Sequence, residues 1–388
     1  MNYIVISPYY PENFQQFTIE LANKGIRVLG IGQEPYEQLG PGLQNALTEY
    51  FRVDNLENLD EVKRAVAFLF YKHGPIDRIE SHNEYWLEQD AQLREQFNVF
   101  GAKPNDLKKT KFKSEMKKLF QKAGVPVVPG QVVRKLSDVD QAVKKIGLPL
   151  IAKPDNGVGA AATFKIETAA DVEHFKAEWD QETVYFFEKF VTSSEICTFD
   201  GLIDSEGNIV FSTTFDYAYT PLDLMLYKMD NSYYILKEMD PKLRAYGEAI
   251  VQAFGMKERF FHIEFFRQDG DYIAIEYNNR PAGGFTIDVY NYAHSIDLYR
   301  GYANIVAGEP FPESDVEPLF CLATSRRASS HYAYSEADLL EKYRDNFKVK
   351  KDMPAAFAEL QGDYLYMVTT PSREQMEEMI ADFGKKAE

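Results

Sequence analysis

Residues 260–288 read FFHIEFFRQDGDYIAIEYNNRPAGGFTID, and this stretch decides how the surrounding chain is interpreted. Two runs rich in aromatic and β-branched residues, Phe261–Arg267 and Tyr272–Asn278, flank the sequence Gln-Asp-Gly-Asp at 268–271. Strand-forming residues on both sides of an Asp-Gly turn are typical of a β-hairpin. The stretch therefore predicts two antiparallel strands joined by a short loop.

Each predicted strand carries an acid where a half-buried strand normally has an apolar residue. Glu264 lies among isoleucine and phenylalanine, and Glu276 lies between isoleucine and tyrosine. A buried carboxylate is costly unless a cation compensates it. Side chains alternate along a strand, so Glu276 and Asn278 share a face. Either a loop with an odd number of residues, such as 269–271, or a bulge in one strand would place Glu264 opposite Glu276.

These oxygen atoms form a candidate metal site. Two carboxylates and an amide oxygen are hard ligands that suit Mg²⁺. Arg280 follows two residues after Asn278, so it would lie near any anion that the metal holds. The competing interpretation is a solvent-facing pair of acids, although like charges directly opposite each other destabilise a hairpin. Spacing alone leaves both interpretations open.

The composition is that of a soluble globular protein. The chain has 388 residues, a length sufficient for two or three packed units. Its residues are 45% hydrophobic and 27% charged, which is ordinary for a globular protein. A formal net charge of −17 without a basic block argues against nucleic-acid binding. The two cysteines, Cys197 and Cys321, do not form a metal or disulfide pattern. No signal peptide or membrane-spanning run is recognisable, so a cytoplasmic protein is expected.

Residues 1–100 alternate between strand and helix patterns. Strands are predicted at 3–7, 27–31 and 76–80, with helical spacing between them, which indicates a doubly wound parallel sheet. No GxGxxG motif follows the first strand, so a Rossmann-type cofactor site is unsupported. Glu84 follows the carboxyl end of a strand, where α/β sheets bind ligands. The alternative is that Glu84 only caps the next helix.

Residues 101–192 contain two lysines and a glycine-containing loop. Lys113 begins an amphipathic helix, and Lys153 ends a short strand. The loop that follows, DNGVGAAA at 155–162, includes Gly157 and Gly159 and has little side-chain bulk. Such a loop lets backbone N–H groups approach phosphate oxygens, although a simple turn between strands is the alternative. It is not a Walker motif.

The remaining chain returns to mixed strands and helices. Residues 184–191 form an apolar strand that carries Glu188, and a hairpin is predicted over 197–214. An aromatic-rich helix is expected over 289–307, followed by strand, helix and strand patterns in 318–388. His294 on the predicted helix is interpreted as structural rather than as a substrate ligand. Tyr217 leaves a strand near the predicted site, where it could either contact a substrate or only pack.

In this order and spacing, the motifs resemble the ATP-grasp family. Glu188 precedes Glu195 by seven residues, and the two predicted metal acids are twelve residues apart. The matching residues are Lys113, Lys153, Glu188, Glu195, Glu264, Glu276, Asn278 and Arg280. The resemblance covers roughly residues 1–310, and the tail looks like the closing αβ segment of the family.

The resemblance implies an α/β (α+β) fold in four parts. An N-terminal, Rossmann-like domain with a doubly wound parallel sheet precedes an ATP-grasp module whose two α+β subdomains grip ATP. The implied boundaries are 1–100 for this first domain, 101–192 for the small lid subdomain with the glycine loop, 193–310 for the large subdomain with the metal hairpin, and 311–388 for a C-terminal αβ segment that packs on the large subdomain.

The resemblance also implies a role for each matching residue. Contacts with ATP are implied for Lys113, Lys153, Gly157, Gly159, Glu188, Lys189, Phe190, Val191 and Glu195. Ligands of two Mg²⁺ ions, which Mn²⁺ can replace, are implied at Glu264, Glu276 and Asn278. Catalytic roles are implied for Arg280 and Lys153. Contacts with the second substrate are implied for Arg280, Gly283 and Gly284, and further candidates for such contacts are Glu84, Tyr217 and Asp288.

The glycine pair after Arg280 most resembles the carboxylate–amine ligases, including the L-amino-acid ligases and the purine-type relatives. This branch implies conversion of a small carboxylate, such as an amino acid, into an acyl phosphate that an amine then attacks. The partners are therefore small molecules, and the family allows a homodimer. The alternatives are a bicarbonate-activating enzyme of the biotin-carboxylase or carbamoyl-phosphate type, and an ATP-binding protein with weakened catalysis. Two departures bear on the last alternative, since Ala160 and Ala162 replace the usual serine or glycine, and Phe112 replaces an acid.

Overall fold

The structure is a computed structural model that describes residues 1–157, 162–193, 195–219, 229–354, 358 and 361–387. Residues 158–161, in the middle of the predicted glycine loop, lie outside the described part of the chain, and so does Ser194. Three sheets organise the described residues. Every helix among these residues is too short or too polar to cross a lipid bilayer.

The N-terminal unit is a parallel four-stranded sheet with helices on both faces. Its elements in chain order are β1 (Asn2–Ile6), α1 (Gln15–Asn23), β2 (Arg27–Gly32), α2 (Gly40–Ala46), β3 (Leu47–Arg52), α3 (Leu59–His73), β4 (Arg78–Glu80) and α4 (Leu87–Gln96). The strand order is β3-β2-β1-β4, and all three pairings are parallel. Alternate residues of β1 enter two different cores, Tyr3 on the α1 side and Ile4 on the α3 side. This arrangement confirms the predicted doubly wound sheet.

The second sheet is small and antiparallel, and it is covered by helices on one face. Two helices precede it, α5 (Pro104–Lys111) and α6 (Lys113–Lys122). Its own elements are β5 (Gly130–Val133), α7 (Leu136–Ile146), β6 (Leu150–Pro154), β7 (Phe164–Ile166), α8 (Ala169–Glu178) and β8 (Tyr185–Lys189). The strand order is β5-β8-β6-β7. Ala152 and Phe187 enter the core beneath α7 and α8. Lys153 and Glu188 alternate with them and therefore lie on the other face.

The third sheet has nine strands and includes the predicted hairpin that carries Glu264 and Glu276. Its strands and helices are β9 (Ile196–Ile203), β10 (Ile209–Thr213), β11 (Phe215–Tyr217), β12 (Ser232–Ile235), α9 (Pro241–Phe254), β13 (Arg259–Gln268), β14 (Asp271–Asn278), α10 (Thr286–His294), α11 (Leu298–Val306), β15 (Phe320–Arg326), α12 (Glu336–Lys342), β16 (Phe347–Asp352), β17 (Tyr364–Thr370) and α13 (Arg373–Gly384). The order is β14-β13-β9-β11-β12-β15-β17-β16, with β10 paired to β9. Residues 320–370 thus extend the large sheet itself.

Helices cover both faces of the large sheet near the hairpin. On one face, Phe261 and Phe265 of β13 pack with Met116 and Phe120 of α6 and with residues of α9. Residues 113–122 therefore belong to the core of the large sheet rather than to that of the small one. On the other face, β13 and β11 pack beneath α10 and α11. This packing brings the start of α6 close to the end of β14.

Candidate active site

The hairpin of β13 and β14 places Glu264 directly opposite Glu276, which confirms the predicted facing of the two acids. Of the two arrangements predicted to produce this facing, an odd-numbered loop or a bulge, the structure has the bulge, because the loop contains only two unpaired residues, Asp269 and Gly270. Their φ angles of 52° and 73° are of the kind that a two-residue hairpin turn requires. A β-bulge next to Glu264 corrects the register. One extra residue in β14 shifts the pairing by one, so both acids reach the same face.

Lys113 lies beside Glu276, one of the two facing acids. The Nζ atom of Lys113 lies 3.9 Å from Oε1 of Glu276, and it donates to the carbonyl oxygen of Gly157 at 2.8 Å. Burial raises the pKa of Glu276, the charge of Lys113 opposes that rise, and the charge of Glu264 adds to it. Lys113 beside Glu276 and His262 beside Glu264 offset the two negative charges only in part, because the pKa of Glu276 stays raised. A bound metal cation would favour the charged form of Glu276.

The ligands available to such a cation are few. The described residues contain no group of three or more His, Cys, Asp or Glu side chains arranged to hold a metal. The candidate ligands are therefore two carboxylates and one amide, from Glu264, Glu276 and Asn278. Mg²⁺ is commonly held by one or two carboxylates together with substrate phosphates and water rather than by a closed protein cage. The residues present fit Mg²⁺ that is bound together with a polyphosphate.

Arg280 lies beside this group of oxygens and is held by the N-terminal domain. Its Nε atom donates to Oε2 of Glu84 at 2.6 Å, and one of its terminal nitrogens lies 3.5 Å from Oδ1 of Asn278. Another terminal nitrogen donates to the carbonyl oxygen of Pro281 at 2.8 Å. The guanidinium group is therefore oriented from three sides. Two predicted site residues that are 196 positions apart, Glu84 and Arg280, are brought together.

Two lysines meet Glu188 on the small sheet. The Nζ atom of Lys153 lies 2.5 Å from Oε2 of Glu188, and Lys117 pairs with the other oxygen. Burial alone would raise the pKa of Glu188, but the ammonium groups of Lys153 and Lys117 lower it to about 2. Burial also disfavours the charged form of Lys153, which its pairing with Glu188 reverses, so its pKa is raised. Two ammonium groups paired with one carboxylate thus leave a net positive charge at this buried cluster.

Lys117 is a site residue that the sequence interpretation missed. It follows Lys113 by four residues, and both side chains lie on the buried face of α6 with Met116 and Phe120. The helical spacing was visible in the sequence, since positions 113, 116, 117 and 120 form one stripe. A lysine in a buried stripe needs a partner, which Glu188 provides from 71 residues away.

The glycine loop is only partly described. Gly157 lies at its start, where its carbonyl oxygen accepts the bond from Lys113. Asp155 anchors the loop to α6, because its carboxylate accepts hydrogen bonds from the backbone N–H of Ser114 at 2.8 Å and from the Ser114 hydroxyl at 2.7 Å. Gly159, which was predicted to contact phosphate, lies outside the described residues.

The predicted adenine-binding segment leads from the small sheet to the large one. The side chain of Lys189 donates to the carbonyl oxygen of Leu148 at 3.0 Å, and the backbone N–H of Phe190 donates to Pro149 at 3.2 Å. Val191 follows, half-buried. Glu195 is largely exposed, with Oε2 at 3.5 Å from a terminal nitrogen of Arg267. The structure thus ties this segment to neighbouring protein groups through the side chains of Lys189 and Glu195 and the backbone of Phe190.

The residues predicted for the second substrate form two groups. The hydroxyl of Tyr217 lies 3.4 Å from Oε1 of Glu264, next to the hairpin. Asp288 and the carbonyl oxygen of Gly284 both accept hydrogen bonds from the amide of Asn13, each at 3.1 Å. The carbonyl oxygen of Gly283 accepts from a threonine hydroxyl at 2.6 Å. Asn13 was missed, because nothing local to the first loop indicates its contact with residues 284–288.

His262 was also missed, although it lies two residues before Glu264 on the same face of β13. It is buried, and its ring nitrogens contact Asp200 and Glu264. Burial would lower the pKa of His262, but the two carboxylates raise it to about 9. The alternation of β13 was the available signal, since it places a histidine beside a predicted metal ligand.

Both the sequence and the fold of this chain are similar to those of known proteins. The model of the ATP-grasp domain matches residues 145–288. This part of the chain is an ATP-grasp domain. The L-arginine-specific L-amino acid ligase of Bacillus subtilis is 25% identical over 322 residues, which are 76% of this chain and 75% of that protein.

Solved ATP-grasp structures share the fold of nearly the whole chain. The L-amino acid ligase from Bacillus licheniformis superposes with a TM-score of 0.71 at 16% identity, covering 98% of this chain and 97% of that one. The biotin carboxylase domain dimer of the Hydrogenobacter thermophilus 2-oxoglutarate carboxylase, solved with MgADP and bicarbonate, also gives 0.71, at 15% identity and 98% and 89% coverage.

These matches confirm the predicted ATP-grasp family, the α/β fold class and the enzyme class of an ATP-grasp ligase. Use of ATP follows from the family. The matched range contains Lys153 of the small sheet and the complete β13–β14 hairpin. Lys113 and Glu84 precede the range, and the tertiary contacts described above bring them to the ATP-grasp site.

Proposed function

We propose that this ATP-grasp protein is an ATP- and Mg²⁺-dependent carboxylate–amine ligase. It activates a small carboxylate, an amino acid, as an acyl phosphate and joins it to an amine, with release of ADP and phosphate. The observation that carries the proposal is the juxtaposition at the end of β14. Glu264 and Glu276 face each other there, with Lys113 at 3.9 Å on one side and Arg280 close to Asn278 on the other.

The reaction has two steps whose demands match these residues. An oxygen of the substrate carboxylate attacks the γ-phosphorus, and the bond to the β-phosphate oxygen breaks to release ADP. The amine nitrogen then attacks the acyl carbon, the carbon–oxygen bond to phosphate breaks, and the nitrogen loses a proton. Phosphoryl transfer depends on positioning and charge neutralisation, which Lys113, Lys153 and Arg280 provide.

The metal and nucleotide would be divided between the two antiparallel sheets. Glu264, Glu276 and Asn278 would hold two Mg²⁺ ions, or Mn²⁺ in their place, which neutralise charge on the phosphates when bound. Lys153 and Lys113 would bind phosphate oxygens, with the backbone of Gly157 and Gly159 closing over them. The adenosine part would lie along Glu188, Lys189, Phe190, Val191 and Glu195.

An amino acid substrate is supported by the paired charges next to the hairpin. Arg280 can bind a carboxylate, and Glu84, which contacts it at 2.6 Å, can bind an ammonium group. A zwitterion presents both groups a few ångströms apart. Tyr217, Gly283, Gly284 and Asp288 would surround the rest of the substrate. The B. subtilis relative, an L-amino acid ligase, acts on substrates of this class.

The test is a screen of single amino acids and amino-acid pairs for ADP release in the presence of ATP and Mg²⁺. The expected result is ADP formation that requires both an amino acid and Mg²⁺, with an amide product found by mass spectrometry. Stimulation by bicarbonate alone would instead support the carboxylase-like alternative. Binding of ATP without ADP formation under any condition would support the weakened ATP-binding protein.

Arg280→Ala separates two functions of the arginine within the same assay. Because its charge is matched to the phosphoryl group in transfer, turnover should fall more than the affinity for ATP. Equal losses in turnover and in ATP affinity would instead mean that Arg280 binds the phosphate of bound ATP before transfer begins.

A further inference from the structure

A buried polar ladder runs across three neighbouring strands beneath the metal hairpin. In the register of the large sheet, His262 pairs with Asp200 of β9 on one side and with Asn278 of β14 on the other. One step further, Glu264 pairs with Thr198 and Glu276. Paired residues share a face, so the ladder joins β9 to the candidate metal ligands. Asp200 and His262 are 1% and 6% exposed.

Asp200 is fixed by three donors. Its Oδ1 atom accepts a hydrogen bond from Nδ1 of His262 at 2.7 Å. Its Oδ2 atom accepts from the hydroxyl of Tyr290 at 2.9 Å and from the hydroxyl of Thr198. A carboxylate held in this way sets the orientation of the imidazole ring. Phe215 stacks on that ring with planes 13° apart, which limits its rotation.

The oriented ring faces Glu264. The Nε2 atom of His262 lies 3.3 Å from Oε1 of Glu264, and the hydroxyl of Tyr217 approaches the same oxygen at 3.4 Å. Among the described residues, no group donates to the second oxygen, Oε2. One oxygen of the carboxylate is therefore engaged by the protein, and the other is left for a ligand.

We propose that His262, held by Asp200, is a positioning residue that orients Glu264 so that Oε2 is presented to the metal cation. This inference rests on the proposed Mg²⁺–ATP site. Groups that hold and orient a metal ligand typically change metal affinity by about 10- to 100-fold when they are removed. Such an effect can be measured without turnover.

Two variants with amide side chains distinguish the roles of the two ring nitrogens of His262. In His262→Asn the amide nitrogen replaces Nδ1, so the bond to Asp200 survives and the contact with Glu264 is lost. In His262→Gln the amide nitrogen reaches the position of Nε2, so the donor toward Glu264 is kept. The affinity for Mn²⁺ is measured by electron paramagnetic resonance of the free ion, in the presence of a non-hydrolysable ATP analogue. Urea unfolding verifies that both variants fold.

His294 offers a matched control. It is also a largely buried histidine that bonds a neighbouring strand, with Nε2 at 2.8 Å from the hydroxyl of Thr213, and it does not touch the hairpin acids. His262→Asn should weaken Mn²⁺ binding about tenfold or more, while His262→Gln and His294→Asn stay within about threefold of the parent.

Two results would overturn the inference. The first is parental Mn²⁺ affinity in a folded His262→Asn protein. The second is an equal loss in His262→Asn and His262→Gln, which would mean that the ring acts only by packing. A parent protein that binds no Mn²⁺ with the ATP analogue would refute the proposed Mg²⁺–ATP site itself, and the parent titration alone reveals that case.

Discussion

Glu276 carries a charge that its surroundings disfavour. It is opposed by Glu264 across the hairpin, and the nearest ammonium group, that of Lys113, is 3.9 Å away and also bonded to Gly157. Burial and the charge of Glu264 both raise its pKa. A protein that keeps such an acid without a closer partner stores electrostatic energy that a bound cation releases.

Glu276→Gln removes this charge at constant size. ADP formation should fall about 100-fold or more, because metal stabilisation of a transferred phosphoryl group is worth several kcal/mol. The free energy of unfolding should stay equal or rise, since a repulsion is removed. A coupled ADP assay and urea unfolding measure the two effects, with the exposed Glu173→Gln as the control. Full activity in Glu276→Gln would remove Glu276 from the metal site.

His294 gives the fold a defined dependence on pH. Burial lowers its pKa to about 4, below the value of about 6.5 for an exposed imidazole. As pH falls below about 6.5, the unfolded chain binds this proton before the folded one, so protonation favours unfolding until about pH 4. The stability of the parent relative to His294→Gln should therefore fall between pH 7 and pH 5. Urea midpoints at several pH values measure this difference, and a constant difference would contradict the interpretation.

At the scale of elements, the β13–β14 hairpin combines a tight turn with a compensating bulge. The turn residues Asp269 and Gly270 both adopt positive φ. The bulge then brings Glu276 to the face of Glu264. The register does not depend on the turn alone, because β13 also pairs with β9 along eight consecutive residues. The position of the acids is thus determined by the sheet as a whole.

Gly270→Ala tests whether the turn or the pairing with β9 sets the register of the hairpin. A residue with a Cβ atom at φ 73° is strained, so unfolding should become easier by about 1 kcal/mol. The affinity for Mn²⁺ with an ATP analogue should stay unchanged, because β9 holds the register. Gly384→Ala is the matched control, since its Cβ atom meets open space without positive φ. A large loss of Mn²⁺ affinity in Gly270→Ala would show that the turn sets the register.

At the scale of the whole molecule, a buried ion network joins the N-terminal domain to the large sheet. Glu80 at the end of β4 accepts hydrogen bonds from Arg94 at 2.8 Å and from Arg259 at 2.7 Å. Arg259 also donates to the carbonyl oxygen of Asn279, the residue before Arg280. The network therefore holds the first domain against the end of the metal hairpin.

Glu80→Gln would remove the carboxylate shared by two buried guanidinium groups, and only Arg94 would keep a nearby acid among the described residues, Asp90 at 3.9 Å. Removing one member of a buried ion pair typically costs about 3–5 kcal/mol, so a loss of that order in the free energy of unfolding is expected. Glu115→Gln, which breaks an exposed pair with Lys118, should cost less than about 1 kcal/mol. Urea unfolding measures both, and similar small losses would show that the network contributes little.

The spacing of apolar residues predicted strands and helices well wherever one regular period covered the whole element. The three strands predicted in the first domain, the helix at Lys113 and the hairpin are found, whereas β3 was not predicted. The single helix expected over 289–307 is wrong. Ser295 adopts a left-handed conformation that ends α10, and Asp297 caps α11. Apolar spacing continues through this break, so periodicity could not reveal it.

The sequence by itself indicated the hairpin acids and most of the strands and helices, because these depend on residues close together in the chain. It also carried the resemblance to ATP-grasp proteins, through motifs that keep their order and spacing from Lys113 to Arg280. The tertiary structure decided which distant groups meet. Lys117 reaches Glu188, Asn13 reaches Asp288, and Asp200 orients His262. The tertiary structure also decided the bulge that aligns Glu264 with Glu276, because pairing of β13 with β9 supports it. Such contacts depend on how whole sheets pack, and that information is spread over the entire chain.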